Sequence, residues 1–344
     1  MVLRPQVRGT NAMEVTEVAY HDSILEVVGH TPLVRLRKID DGLPAKILAK
    51  LEMLNPGGSQ KDRIALSMIE DAERQGLLMP GGTIVEATAG NTGVGLAMAA
   101  AVRGYRCVFA VPDKMSAEKV ALLRAYGAEV VWTPTAVAPD SPESYNSVAD
   151  RLAREIAGAW RAGQFTNQAN PRAHYVSTGP EIWQDSGGRV DAFVAGVGTG
   201  GSLTGAARFL RERNPELRVI GADPAGSILS GDEPGSWIVE GIGEDFFPET
   251  FDAGLVDDWV RVTDAQSFAA ARRLAREEGI LAGGSAGTAL HAALEEAERM
   301  PDGSVVVVLL PDTGRNYLSK FHSDEWLADT GFAALLDDRE PVPR

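Results

Sequence analysis

Cysteine is almost absent from this chain: Cys107 is the single one in 344 residues. No internal disulfide can form, and a one-cysteine chain without a leader-like opening reads as cytoplasmic. Long apolar runs are also missing, which argues against a bilayer-crossing helix and a secretory leader. Positive charge is scarce, with 33 Lys and Arg against 48 Asp and Glu, a net charge of -15. That balance argues against nucleic acid or an anionic membrane as a partner. His21, His30, His174, His291 and His322 are scattered without ligand spacing, so no metal is expected.

What is present is an alternation of apolar strands and helices. Strands are predicted at 46–51, 83–86, 106–111, 129–132, 191–197, 218–222 and 304–310. Helices are predicted at 64–75, 94–103, 117–126, 144–157, 203–213, 264–278 and 286–299. Continuous apolar strands between helices predict an α/β fold of mainly parallel sheets covered by helices.

Lys61 sits in Asn55-Pro-Gly-Gly-Ser-Gln-Lys61-Asp-Arg63, a turn running into an amphipathic helix. A lysine there opposes the positive end of the helix dipole, and burial would lower its pKa further. Such an amine can act as a base or a Schiff-base nucleophile. An exposed surface lysine remains the alternative. Two strand–glycine loop–helix units follow, Glu86-Ala-Thr-Ala-Gly-Asn-Thr-Gly93 and Gly196-Val-Gly-Thr-Gly-Gly-Ser202. Their backbone amides can converge on an anion at a helix start, although neither loop carries Lys or Arg. Gly196, Gly198 and Gly201, with Asp223 beyond, also satisfy a loose dinucleotide pattern. An NAD-dependent oxidoreductase is therefore the rival from another class, but it leaves Lys61 and Asn91 unexplained.

Together with Gly283-Gly-Ser-Ala-Gly287, these segments resemble the fold-type II pyridoxal phosphate enzymes, the tryptophan synthase β-like fold. The chain is similar to the cysteine synthase and cystathionine β-synthase family, and leans to the latter through Pro112-Asp-Lys-Met-Ser116, Val239-Glu-Gly-Ile-Gly243 and Pro311-Asp-Thr-Gly-Arg-Asn-Tyr317. The resemblance runs from about His21 to Phe332. It implies a smaller, mobile lobe at 55–167 and a larger lobe from 21–54 and 168–332, with tails at 1–20 and 333–344. A haem-binding segment and C-terminal regulatory domains are not expected, and a homodimer is.

The resemblance also implies roles. Lys61 would hold pyridoxal 5'-phosphate as a Schiff base and move the proton at the substrate Cα. Asn91 would bond the ring hydroxyl, Gly198, Thr199, Gly200, Gly201 and Ser202 would cradle the phosphate, and Ser285 would face the ring nitrogen. Thr88, Ala89, Gly90, Thr92 and Gln164 lie where the family binds the substrate carboxylate, and Gly241 beside the cofactor. The implied reaction is β-replacement on serine or an O-activated serine by a thiol, through an aminoacrylate. Homocysteine is the first choice of thiol; sulfide, or another nucleophile in specialised metabolism, is the alternative. Ala89 stands where the family usually has serine, and Phe165 where cystathionine β-synthases often have tyrosine. The loss of both hydroxyls favours O-acetylserine, because hydroxide leaves only with a proton donor. Gln60 replaces a small apolar residue, without a physical explanation from sequence.

Overall fold

In the computed structural model, residues 20–138 and 140–336 are described. The sequence expectation of loose tails falls mostly outside them. Residues 333–336 form a 3₁₀ turn whose Leu335 and Leu336 pack beside Phe268 and Phe321.

The strands are β1 (Leu33–Arg35), β2 (Lys46–Leu51), β3 (Thr83–Ala87), β4 (Arg106–Pro112), β5 (Glu129–Thr133), β6 (Ala159–Arg161), β7 (Ala192–Gly196), β8 (Arg218–Pro224), β9 (Asp258–Val262) and β10 (Val305–Leu310). The helices are α1 (Lys61–Arg74), α2 (Asn91–Arg103), α3 (Ala117–Ala125), α4 (Tyr145–Glu155), α5 (Ala169–Ala173), α6 (Gly179–Asp185), α7 (Gly201–Arg213), α8 (Asp264–Arg273), α9 (Gly284–Arg299) and α10 (Asp324–Asp329).

These strands make two sheets. One has the order β1-β2-β10-β7-β8-β9 and the other β5-β4-β3-β6. All pairings are parallel except the edge pair β1–β2. The central strands β7 and β10 are apolar and buried, as parallel strands covered on both faces must be, and β3 is buried throughout although it carries Thr83 and Glu86. The α/β expectation therefore holds, with three short strands added. Leu33–Arg35 and Ala159–Arg161 are too short for a periodic signal, and in Asp258–Val262 the consecutive Trp259 and Val260 break the alternation, while Asp258 and Arg261 are exposed as on an edge strand.

Several helices begin earlier than their apolar periodicity suggests. Helices α1, α2, α7 and α9 open at Lys61, Asn91, Gly201 and Gly284, on polar or glycine residues that a hydrophobic pattern misses. The consequence is functional, because every one of these starts faces the region where the carboxyl ends of the parallel strands meet. Open α/β sheets bind ligands at that edge.

Candidate active site

The Lys61 turn is sewn to the end of β10. Gln60 N donates to Pro311 O at 2.9 Å, and Thr313 N donates to Gly58 O at 3.1 Å. Inside the turn, Gly57 N donates to Asp62 Oδ2 at 2.5 Å and Lys61 N to Ser59 Oγ at 3.1 Å. Lys61 thus begins α1 on a rigid footing, while its Nζ has no hydrogen-bond or ion-pair partner among the described residues. Burial pushes its ammonium down to about 8, against the pull of Glu244 and then Asp312. That is the direction anticipated from the sequence, towards the neutral amine.

Beneath this turn lies an ionic cluster that sequence reading did not find. Arg63 donates through Nε to Glu52 Oε2 at 2.7 Å and through Nη1 to Glu181 Oε1 at 2.7 Å. Lys50 Nζ, fully buried, reaches Glu181 Oε2 at 2.8 Å. Burial alone would raise the Glu181 carboxyl, but Arg63 and Lys50 hold it down at about 2. The cluster ties α1 to β2 and α6, and so anchors the helix that carries Lys61.

The loop from Gly198 to Ser202 joins β7 to α7. Gly200 caps α7 at φ +75°, a left-handed conformation that glycine adopts without strain, and no side chain caps the helix. A Cβ on Gly201 would lie 1.9 Å from Asn170 Oδ1, and one on Gly198 would lie 2.7 Å from Gly241 O. The loop is therefore as close to its neighbours as backbone can come. The amides of Gly198, Thr199, Gly200 and Ser202 find no protein acceptor among the described residues. Asn170 Nδ2 donates to Thr199 Oγ1 at 3.1 Å and to Gln164 O at 2.8 Å, and Thr250 Oγ1 donates to Thr199 O at 2.6 Å. These bonds hold the loop open for an anion at a helix N-terminus.

Asn91 is the first residue of α2. Its Nδ2 donates to Asp312 Oδ2 at 2.9 Å, and the Tyr317 hydroxyl donates to the same oxygen at 2.8 Å. Burial pushes the Asp312 carboxyl up to about 6 even so. Thr88, Ala89 and Gly90 form the preceding loop, and Thr92 Oγ1 donates to Gln164 Oε1 at 2.6 Å. Ser285 is buried in the first turn of α9, and its Oγ has no hydrogen-bond partner among the described residues. Asp223, by contrast, is fully buried, its Oδ2 accepting from Ser230 N at 3.0 Å, so its carboxylate is not exposed to a dinucleotide ribose.

A cavity of about 340 Å³ opens beside these residues, between Ala89–Asn91 and Val94 on one wall and Gly241 and Tyr317 on the other. Charge surrounds its mouth. Glu240 pairs with both Lys119 and Lys320, bridging α3 to the segment after β10, and Glu118 and Arg315 line the same opening.

Residues 24–312 match the family described as pyridoxal-phosphate dependent enzyme. A cystathionine beta-synthase from Oryctolagus cuniculus is 52% identical over 317 residues, covering 90% of this chain and 58% of the relative. One from Saccharomyces cerevisiae is 46% identical over 322 residues, covering 89% of this chain and 64% of the relative. The chain thus spans less than two thirds of the length of these curated relatives. Among solved structures, O-ureido-L-serine synthase aligns with a TM-score of 0.84 at 42% identity, covering 94% of this chain and 98% of that one. A hydrogen sulfide-producing enzyme from Fusobacterium nucleatum aligns with a TM-score of 0.82 at 40% identity, covering 87% of this chain and 100% of that one. The chain belongs to the pyridoxal-phosphate dependent enzyme family, and pyridoxal phosphate is the cofactor of that family.

Proposed function

We propose that the chain catalyses β-replacement on a serine-type amino acid by a thiol, with the cofactor held on Lys61. The observation that carries this reading is the unpaired, desolvated Lys61 amine on a rigid turn, its ammonium lowered to about 8. The surrounding residues fit the cofactor. The uncapped α7 start, with free amides and no room for a Cβ at Gly201, suits a phosphate. The unpartnered Ser285 Oγ suits a ring nitrogen, and Asn91, steadied by Asp312, suits a ring hydroxyl.

When bound, pyridoxal phosphate supplies a conjugated electron-withdrawing ring that acidifies the substrate Cα–H and allows a β-substituent to depart. Lys61 Nζ removes that proton and later returns it. Ser285 offers a neutral hydroxyl rather than a carboxylate, so it does not hold the ring nitrogen protonated. Thr88, Ala89, Gly90, Thr92 and Gln164 receive the substrate carboxylate through backbone amides and side-chain donors. Carboxylate capture draws the smaller lobe down, and water is excluded from the reacting carbons.

For the nucleophile, an amino-acid thiol such as homocysteine suits the cavity better than sulfide does. The opening of about 340 Å³ carries both signs of charge, from Lys119, Arg315, Glu118 and Glu240, which complement a zwitterion. Sulfide needs neither the space nor the charges. A competition assay tests the choice: wild type is given O-acetylserine with equal homocysteine and sulfide, and products are identified by mass. Cystathionine as the main product is expected. Cysteine as the main product would replace homocysteine with sulfide, and a different adduct would indicate a tailoring enzyme.

A further inference from the structure

Glu244 follows Gly241-Ile-Gly243 and is pinned by its own backbone. Its N–H donates to Ser227 Oγ at 3.1 Å, and its carbonyl accepts from the same hydroxyl at 3.2 Å. Gly243 N donates to Val197 O at 2.8 Å, which ties this segment to the end of β7, just before the glycine loop. On its far side the segment lies against Phe165, the neighbour of Gln164. Phe246 meets Phe165 edge to face with centroids 5.3 Å apart, and Thr250 N donates to Phe165 O at 3.2 Å. The carboxyl of Glu244 has no hydrogen-bond or ion-pair partner among the described residues. Burial, then Asp245, push it up to about 7; Lys61 pulls it down and Asp223 adds to the rise. Tyr145, at the start of α4, also lies within its field, and burial and then the Glu244 carboxylate raise that phenol.

β-Replacement on serine asks for two proton transfers at different atoms. The β-oxygen must be protonated as it departs, Ala89 and Phe165 have no hydroxyl, and without a second acid Lys61 would serve both Cα and the β-oxygen. We propose that Glu244 is a catalytic acid and base in this site: its carboxyl protonates the departing β-oxygen of serine, and the carboxylate then accepts the proton of the incoming thiol. The proposal rests on the β-replacement reading and extends its donor from O-activated serine to serine itself.

The step balances. The Cβ–O bond breaks with its electron pair on oxygen, the Glu244 proton completes a water molecule, and the Cα proton resides on Lys61. As sulfur bonds to Cβ its proton passes to Glu244, and Lys61 returns its own to Cα. Serine and thiol give thioether and water, with both groups restored.

The test compares kcat/KM for serine and for O-acetylserine, each with homocysteine, in wild type and Glu244→Gln. Acetate leaves without a proton, and thiol addition is common to both donors, so their ratio isolates the leaving-group step. The ratio of serine to O-acetylserine should fall at least about tenfold in the variant, general acid catalysis being worth roughly 10²–10⁴. Residual O-acetylserine turnover reports that the variant is folded and loaded. Apart from turnover, infrared titration of the full chain should give a wild-type-minus-variant carboxylic-acid band that vanishes with rising pH near 7. An unchanged ratio, a wild type that uses O-acetylserine alone, or a featureless difference spectrum would overturn the role of Glu244 and leave β-replacement standing. A wild type that uses neither donor would overturn β-replacement itself, and the proposal with it.

Discussion

Asn91 and Asp312 meet across the site: the Asn91 amide donates to Asp312 Oδ2 at 2.9 Å, from the first residue of α2 to the segment after β10. The bond fixes which way the amide faces, and Tyr317 shares the same acceptor oxygen at 2.8 Å. Asp312→Ala should therefore weaken cofactor retention without removing any proposed cofactor contact. The loss of one charge-assisted bond is worth about 1.5–3 kcal/mol, or roughly ten- to a hundredfold in affinity. Absorbance titration of the stripped variant with pyridoxal phosphate measures it.

Gly201 has no tolerance for a side chain, since a Cβ would fall 1.9 Å from Asn170 Oδ1. Gly201→Ala should displace Asn170, which holds Thr199 and Gln164, and so disturb the phosphate loop and the substrate wall together. At least about a hundredfold loss of cofactor affinity is expected, comparable to removing several contacts at once. The same titration checks it, with circular dichroism to show that the fold persists.

Arg63 stands between Glu52 and Glu181 with almost no solvent contact. Arg63→Ala leaves the buried Glu52 carboxylate without its cation and Glu181 with Lys50 alone, and removing one member of a buried ion pair typically costs about 3–5 kcal/mol. Chemical denaturation should show a loss of that size.

Asp62 combines burial with an acceptor, Oδ1, that finds no donor among the described residues. Its carboxyl is pushed from 3.8 to about 7, first by burial and then by Glu52, against the Gly57 amide and Arg63. A raised folded pKa gives a contribution that is fully present below the unfolded value and lost as pH rises through the folded one. Stability from this group should fall between about pH 4 and pH 7. In Asp62→Asn the decline of Tm across that window should flatten, as a thermal series in matched buffers would show.

Much of this was legible in the sequence where local chemistry decides the outcome. The glycine turn before Lys61, the apolar strands of 106–111 and 304–310, and the uncapped glycine loop after β7 are local patterns, and the structure contains each element. What stayed hidden depends on residues brought together by folding. Arg63 and Glu181 are 118 positions apart, and Asn91 and Asp312 are 221 apart, so no window of sequence relates them. Glu244 was visible beside Gly241-Ile-Gly243, but its freedom from partners and its coupling to Lys61 are tertiary facts. Gln60 is explained only in part: its backbone joins the turn to β10, while its buried Oε1 finds no donor among the described residues, and nothing in the structure explains that side chain.

The central claim is that Lys61 holds the cofactor and moves the substrate proton. The most direct measurement is the visible absorbance spectrum of purified wild type and Lys61→Ala, before and after O-acetylserine. The account predicts a Schiff-base band in wild type that shifts on adding substrate, and no such band in the variant. A wild type that stays colourless with added pyridoxal phosphate, or a variant with the same band and the same shift, would contradict it.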